Sequence, residues 1–153
     1  MPDTGTAAPD FTLPRDGGGE VTLSALRPAP VVLFFYPRDD TSGCTKEALA
    51  FTTLKADFEA AGAQVLGISK DSIAAHDKFR DKHALTVPLL SDADADTCET
   101  YGVWKEKSMY GKKFFGIERS TFLIDGDGQI ARVWRKVKVP GHAEEVLEAV
   151  RAL

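Results

Sequence analysis

A chain of 153 residues, 43% apolar and 27% charged, has the size and profile of one globular domain with a real core, expected to run over 1–153. Its formal net charge of -4 argues against the basic footprint of a nucleic-acid or anionic-membrane binder, and no apolar run approaches the roughly 20 residues of a membrane span. Met1–Thr6 has neither a basic nor an apolar signal region, and two cysteines cannot staple a domain of this size, so a reducing cytoplasm is the expected setting.

Phe11–Leu13 and Val21–Leu23 predict short strands turned by Gly17-Gly18-Gly19; these glycines lack the Lys-Ser/Thr of a phosphate loop and open no helix. Val31–Tyr36 is continuously apolar, the pattern of a central strand buried on both faces. A helix is predicted from Ser42 or Gly43, because Cys44, Ala48, Phe51, Leu54, Phe58 and Ala61 recur as one apolar stripe ahead of a capping Gly62. A strand at Val65–Ile68, a helix over Ile73–Ala84, a strand at Val87–Leu90 and a brief helix at Asp96–Tyr101 follow. Lys105–Lys113 reads as a lysine-rich loop. Thr121–Asp125 and Gln129–Lys138 predict a hairpin turned at Gly126-Asp127-Gly128. After Val139-Pro140-Gly141, a last helix buries Val146, Leu147, Val150 and Leu153. Alternating strands and helices ending in a hairpin indicate an α/β fold with a mixed sheet.

Cys44 lies in the first turn of a helix that follows a buried strand, facing inward and half shielded. Unpaired N–H groups and partial positive charge gather there. Reactive thiols in such places have pKa values of about 3.5–7.5, against about 8.5 for a free one, and the thiolate is the nucleophile. Sulfur chemistry at the carboxyl end of the sheet is the expectation; a small buried hydrophobe is the alternative for a lone cysteine.

Pro37-x-x-x-Thr41-x-x-Cys44 after Val-Val-Leu-Phe-Phe-Tyr resembles the active-site signature of the peroxiredoxins. The string from Phe35 to Ala48 is similar to the bacterioferritin-comigratory-protein or peroxiredoxin Q subgroup. The likeness continues through Gly67-Ile68-Ser69, Pro88–Asp92, Tyr101–Trp104 and Arg119–Asp125. It implies a thioredoxin-like fold, a mixed sheet flanked by helices, with an N-terminal hairpin extension. It also implies a thiol-dependent peroxidase that reduces hydrogen peroxide and organic hydroperoxides through a cysteine sulfenic acid, without metal, haem or flavin. On that resemblance Cys44 is the nucleophile. Arg119 holds the thiolate and the peroxide with a rigid, permanently charged fork. The Thr41 hydroxyl, which also suits a helix N-cap, holds peroxide or thiolate. The Gly43 and Cys44 N–H groups form a small anion site, Pro37 shields the sulfur, and Glu47 orients the arginine.

A sulfenic acid must be reduced by another thiol. The position five residues beyond the nucleophile, where many of the subgroup carry a resolving cysteine, is Leu49, and none lies in Ile73–Ala84. Cys98 remains as a resolving candidate, against a plain structural role among acids that would raise its pKa. One-cysteine catalysis with thioredoxin, glutaredoxin or glutathione as resolver is the preferred reading, in a monomer or weak homodimer. Ser42, where the subgroup often has proline, is expected to cap the helix. Asp39 and Asp40 read as solvated loop acids, and His76 and His83 as a helix face. Asp92-x-Asp94-x-Asp96 lacks the glycine due at Thr97 and the glutamate due at Val103 of a calcium loop. Cys44-Thr45-Lys46-Glu47 lacks the second thiol of a disulfide reductase. The other class is a redox sensor or holdase using the same cysteine without sustained turnover.

Overall fold

The computed structural model describes residues 2–153. The chain opens with an antiparallel pair, β1 (Thr12–Pro14) and β2 (Glu20–Thr22), then a single 3-10 turn at Leu23–Leu26. Next come β3 (Val31–Phe35), α1 (Ser42–Thr53), α2 (Lys55–Ala60), β4 (Gln64–Ser69), α3 (Ile73–His83), β5 (Leu89–Ser91) and α4 (Thr97–Thr100). The pair β6 (Trp104–Met109) and β7 (Lys112–Ile117) precedes β8 (Ser120–Ile124), β9 (Ile130–Trp134) and α5 (His142–Arg151).

Five strands form the central sheet in the order β5-β4-β3-β8-β9. The first three run parallel, and β8 and β9 join antiparallel. In β3 every residue is buried, and alternate side chains feed two separate cores. Val32, Phe34 and Tyr36 pack with Phe51 of α1, Phe58 of α2, Phe79 of α3 and Val146 of α5. Val31, Leu33 and Phe35 pack on the other side with Leu13 of β1 and with Cys98 and Tyr101 around α4. This two-sided burial is why β3 reads as an unbroken apolar run rather than an alternating one. Beside it Gly67 has no room for a side chain, because a Cβ there would lie 2.7 Å from the Phe34 ring. This is the mixed thioredoxin-like sheet expected, with its N-terminal hairpin.

Three elements differ from expectation. The long amphipathic helix is two helices, broken at Leu54, where ψ opens to 3°; the apolar stripe runs through the break and conceals it. The lysine-rich segment is an antiparallel hairpin, turned by Tyr110 (φ 53°) and Gly111 (φ 78°). Positive φ at both central residues is the two-residue turn that matches strand twist. Leu153 lies past α5 and is 55% exposed, so the buried stripe of α5 ends at Val150. Among the described residues no helix is long and apolar enough to cross a membrane.

Candidate active site

Between β3 and α1 the chain makes a tight loop. Tyr36 still hydrogen-bonds as if in the sheet, its N–H donating to the Ile68 carbonyl at 3.1 Å. Asp40 then takes a left-handed conformation, φ 58°, unusual for a residue with a side chain. Thr41 occupies the N-cap position, but its hydroxyl donates to the Arg38 carbonyl at 2.9 Å and caps no helix N–H. Ser42 is the first helical residue, exposed, and α1 carries no side-chain cap, which corrects the expectation of a serine cap. The intrahelical ladder begins with Thr45 N–H on the Thr41 carbonyl at 2.8 Å. The N–H groups of Ser42, Gly43 and Cys44 precede that bond and lack helical partners, the anion-binding arrangement of a helix start.

Cys44 is 1% exposed, more fully covered than half shielded. Arg119, placed immediately before β8, reaches across the sheet end to it. One guanidinium nitrogen donates to Cys44 Sγ at 3.3 Å, and the other to Glu47 Oε1 at 2.7 Å. Cys44 and Glu47 stand three residues apart on α1, one turn of the same face, so a single planar fork serves both. Gly43 makes this approach possible: a Cβ there would meet Arg119 Nη2 at 3.1 Å. Glu47 is 1% exposed and its second oxygen has no hydrogen-bond partner. Burial pushes its pKa up to about 7, against the lowering effect of Arg119. For Arg119, burial works against the charge, but Glu47 and Cys44 outweigh it and the pKa rises. Pro37 starts the loop and is exposed.

Cys98 lies elsewhere. It is fully buried in the core on the opposite side of the sheet from Cys44. Burial and then the Asp92 charge push its thiol pKa far up, the reverse of a reactive thiol. Asp92 accepts the N–H groups of Thr97 and Cys98 at 3.0 and 2.8 Å and pairs with Lys70 at 3.3 Å, so its carboxylate starts α4.

Sequence reasoning missed three features around the site. Lys107 of β6 donates to the Ile117 carbonyl at 2.6 Å, two residues from Arg119. Its pKa is lowered, first by burial and then by Arg119, with Cys44 acting in the opposite sense. Gly43 is expected from the sequence only to lend its N–H, whereas its missing side chain is what admits Arg119. Asp39 is not a solvated acid: its side chain is 6% exposed and contacts the fully buried His76 at 2.6 Å. Asp40 does lie at the surface, holding Lys82 at 2.7 Å and His83 at 2.8 Å. Paired Asp-His spacing across 37 residues leaves no local signal. Asp39, Asp71 and His76 are the group of potential metal ligands among the described residues. Their atoms are already engaged, however: His76 Nε2 by the Leu90 carbonyl at 2.9 Å, and Asp71 by Ser69 and the Asp39 N–H at 2.6 and 2.9 Å.

A buried cysteine at a helix start, bridged by an arginine to a buried glutamate on a thioredoxin-like sheet, defines a thiol-based redox enzyme. The AhpC/TSA family model matches residues 4–133, and the chain belongs to that family, the peroxiredoxins. It is 49% identical over 143 residues to the peroxiredoxin Bcp of Xanthomonas campestris, covering 94% of this chain and 89% of that one. The solved structure of Xanthomonas campestris bacterioferritin comigratory protein, studied for alkyl peroxide reduction, superposes with a TM-score of 0.91 at 46% identity, covering 98% of each chain. A cysteine-to-serine mutant of PrxQ from Xylella fastidiosa gives 0.94 at 44% identity, covering 99% of this chain and 97% of that one. The chain is therefore an enzyme of the thiol-dependent peroxidase class, similar to the Bcp and PrxQ members.

Proposed function

We propose that this protein reduces hydrogen peroxide and organic hydroperoxides by a one-cysteine cycle, with Cys44 as the attacking sulfur. The observation that carries this reading is the Arg119 bridge from Cys44 Sγ to Glu47. In the first step the Cys44 thiolate forms an S–O bond to one peroxide oxygen while the O–O bond breaks. The second oxygen leaves with the bonding pair and takes a proton, giving water or an alcohol. The sulfur is left as a sulfenic acid, oxidised by two electrons. Negative charge moves from sulfur to the departing oxygen during the step. Donors already aimed at that line of atoms lower the barrier without reorganising. The Arg119 fork and the N–H groups of Gly43 and Cys44 supply these donors. Glu47 fixes the fork, and the Thr41 hydroxyl, held by the Arg38 carbonyl, keeps its lone pairs for the peroxide. Pro37 limits water at the mouth.

Two external thiols complete the cycle: the first condenses with the sulfenic acid, releasing water, and the second exchanges with the mixed disulfide. Thioredoxin, glutaredoxin and glutathione have the right chemistry, and a reducing cytoplasm supplies them. This reading leaves Cys98 outside the cycle, and its burial in the other core supports that assignment. The test is steady-state peroxide consumption with each reductant in turn. Cys44→Ser should abolish turnover and Cys98→Ser should retain most of it. Consumption that stops after one equivalent of peroxide would favour the sensor reading, and high-yield Cys44–Cys98 disulfide formation would overturn the one-cysteine cycle.

A further inference from the structure

Helix α3 offers one face, His76, Phe79 and His83, to the loop that carries the site. His76 is fully buried and bonded at both ring nitrogens. Its Nε2 faces the Leu90 carbonyl of β5 at 2.9 Å, and a carbonyl only accepts, so Nε2 carries a proton. Its Nδ1 faces Asp39 Oδ2 at 2.6 Å, the short distance of a charge-assisted bond. The other Asp39 oxygen accepts the Tyr36 hydroxyl at 2.7 Å. The Asp39 N–H donates to Asp71 Oδ2 at 2.9 Å, and that oxygen also accepts the Ser69 hydroxyl at 2.6 Å. The next residue, Asp40, holds a left-handed backbone while Lys82 and His83 pair with its carboxylate. Two successive carboxylates thus tie the loop to one helix, a buried bond at one end and an exposed one at the other.

We propose that His76 is a positioning residue of the Cys44 site: as an imidazolium clamped between Leu90 and Asp39, it pins the loop that sets Pro37, Thr41 and the first turn of α1. This role rests on the peroxidase reading of that site. The loop needs such an anchor. Beyond it, Arg38, Asp40, Phe79 and Lys82 border an open cavity of about 570 Å³, so packing alone does not hold the outer side. Its conformation also carries the cost of a left-handed aspartate. The groups facing His76 are Tyr36 just after β3, Asp39 from the loop, Asp71 after β4 and the Leu90 carbonyl from β5. Asp77 and Arg80 of α3 turn away, toward Gly17 and Asp16. Burial works against the charged ring, but Asp39, the Leu90 carbonyl and Asp71 outweigh it, and the pKa is raised from 6.5. The clamp is complete below the raised value and loosens as pH climbs through it.

The test uses the whole protein with His76→Asn and Asp39→Asn, read by two reactions of the same sulfur. Peroxide reduction needs the placed loop, whereas alkylation by iodoacetamide needs only an accessible thiolate. Below the His76 titration, each variant should lose about tenfold or more in kcat/KM for hydrogen peroxide, the scale of loss for misplaced reacting groups. Alkylation of Cys44 should change by less than about twofold. Wild type should decline on the alkaline side, and His76→Asn should not show that limb. Nitrogen-15 spectra of wild type should show both His76 nitrogens protonated to a higher pH than in a free imidazole. A ring that loses its proton no later than a free imidazole, an unchanged peroxide profile, or equal loss of both reactions would overturn the positioning role. If wild type reduces no peroxide, the reading of the site fails first and this role with it; if wild type turns over and the variants keep its profile, only the role of His76 fails.

Discussion

Gly43 lets two neighbours share one arginine. Its missing side chain leaves Arg119 Nη2 free to come down on the first turn of α1, where a Cβ would sit 3.1 Å away. The other arm of the guanidinium is fixed to Glu47 at 2.7 Å, so the group cannot retreat from Gly43 while keeping both bonds. Gly43→Ala is therefore expected to lengthen the contact to sulfur and lower kcat/KM for hydrogen peroxide by about tenfold. Its stability should hold or rise by up to about 1 kcal/mol, because alanine is the better helix residue. Stopped-flow peroxide reduction beside thermal melts would show the two effects moving in opposite directions; a parallel fall would mean that the turn itself had been damaged. In the sequence Gly43 has no mark beyond its place next to the cysteine, because the atom it accommodates belongs to Arg119, in a distant part of the chain.

Elements were legible where their signal is local. The run Val31–Tyr36 announced a doubly buried strand, and the stripe from Cys44 to Phe51 announced a helix with the cysteine at its start. The β6–β7 hairpin was missed because its lysines read as a solvated loop. Lysine stems lie flat along such a ribbon while their charges reach out, and Lys107 bends back to the Ile117 carbonyl. The signal that would have found it is Tyr110-Gly111 between two stretches of strand length. The motif brought Thr41, Cys44 and Glu47 together because they are neighbours in sequence, while the Asp39–His76 contact depends on how α3 packs. The hairpin carries its own prediction. Lys107→Met removes a positive charge that lies in the field of Arg119 and Cys44. It should slow peroxide reduction by about threefold at low salt and less at high salt, the mark of an electrostatic contribution. A salt-independent loss would instead indicate a displaced hairpin.

Across the whole molecule, two buried groups pull stability in opposite directions with pH. Glu47 titrates near 7 folded against 4.5 unfolded, so between those values the folded chain holds the extra proton and stability falls as pH rises. His142 packs against Phe51 and Trp134 and bonds Thr121 at 2.8 Å. Burial lowers its pKa to about 4 from 6.5, so in that window the unfolded chain holds the proton and stability rises with pH. Each slope is about 1.4 kcal/mol per pH unit, and where the windows overlap they offset. Urea unfolding of Glu47→Gln should expose a rise in stability from pH 4.5 to 6.5 relative to wild type. His142→Gln should expose the matching fall. Two variants with the slope of wild type would show that neither group is perturbed.

The central sheet also acts as a partition. It leaves the two sulfurs in separate interiors, with five strands between the layers that hold them. In the proposed cycle an oxidised Cys44 must therefore wait for rescue from outside, and the length of that wait is set by the surrounding thiol supply rather than by the protein. Damage then accumulates as a race. When peroxide arrives faster than reductant, a second oxidation to the sulfinic acid becomes the escape route, and catalytic lifetime tracks the ratio of the two reagents instead of the total dose.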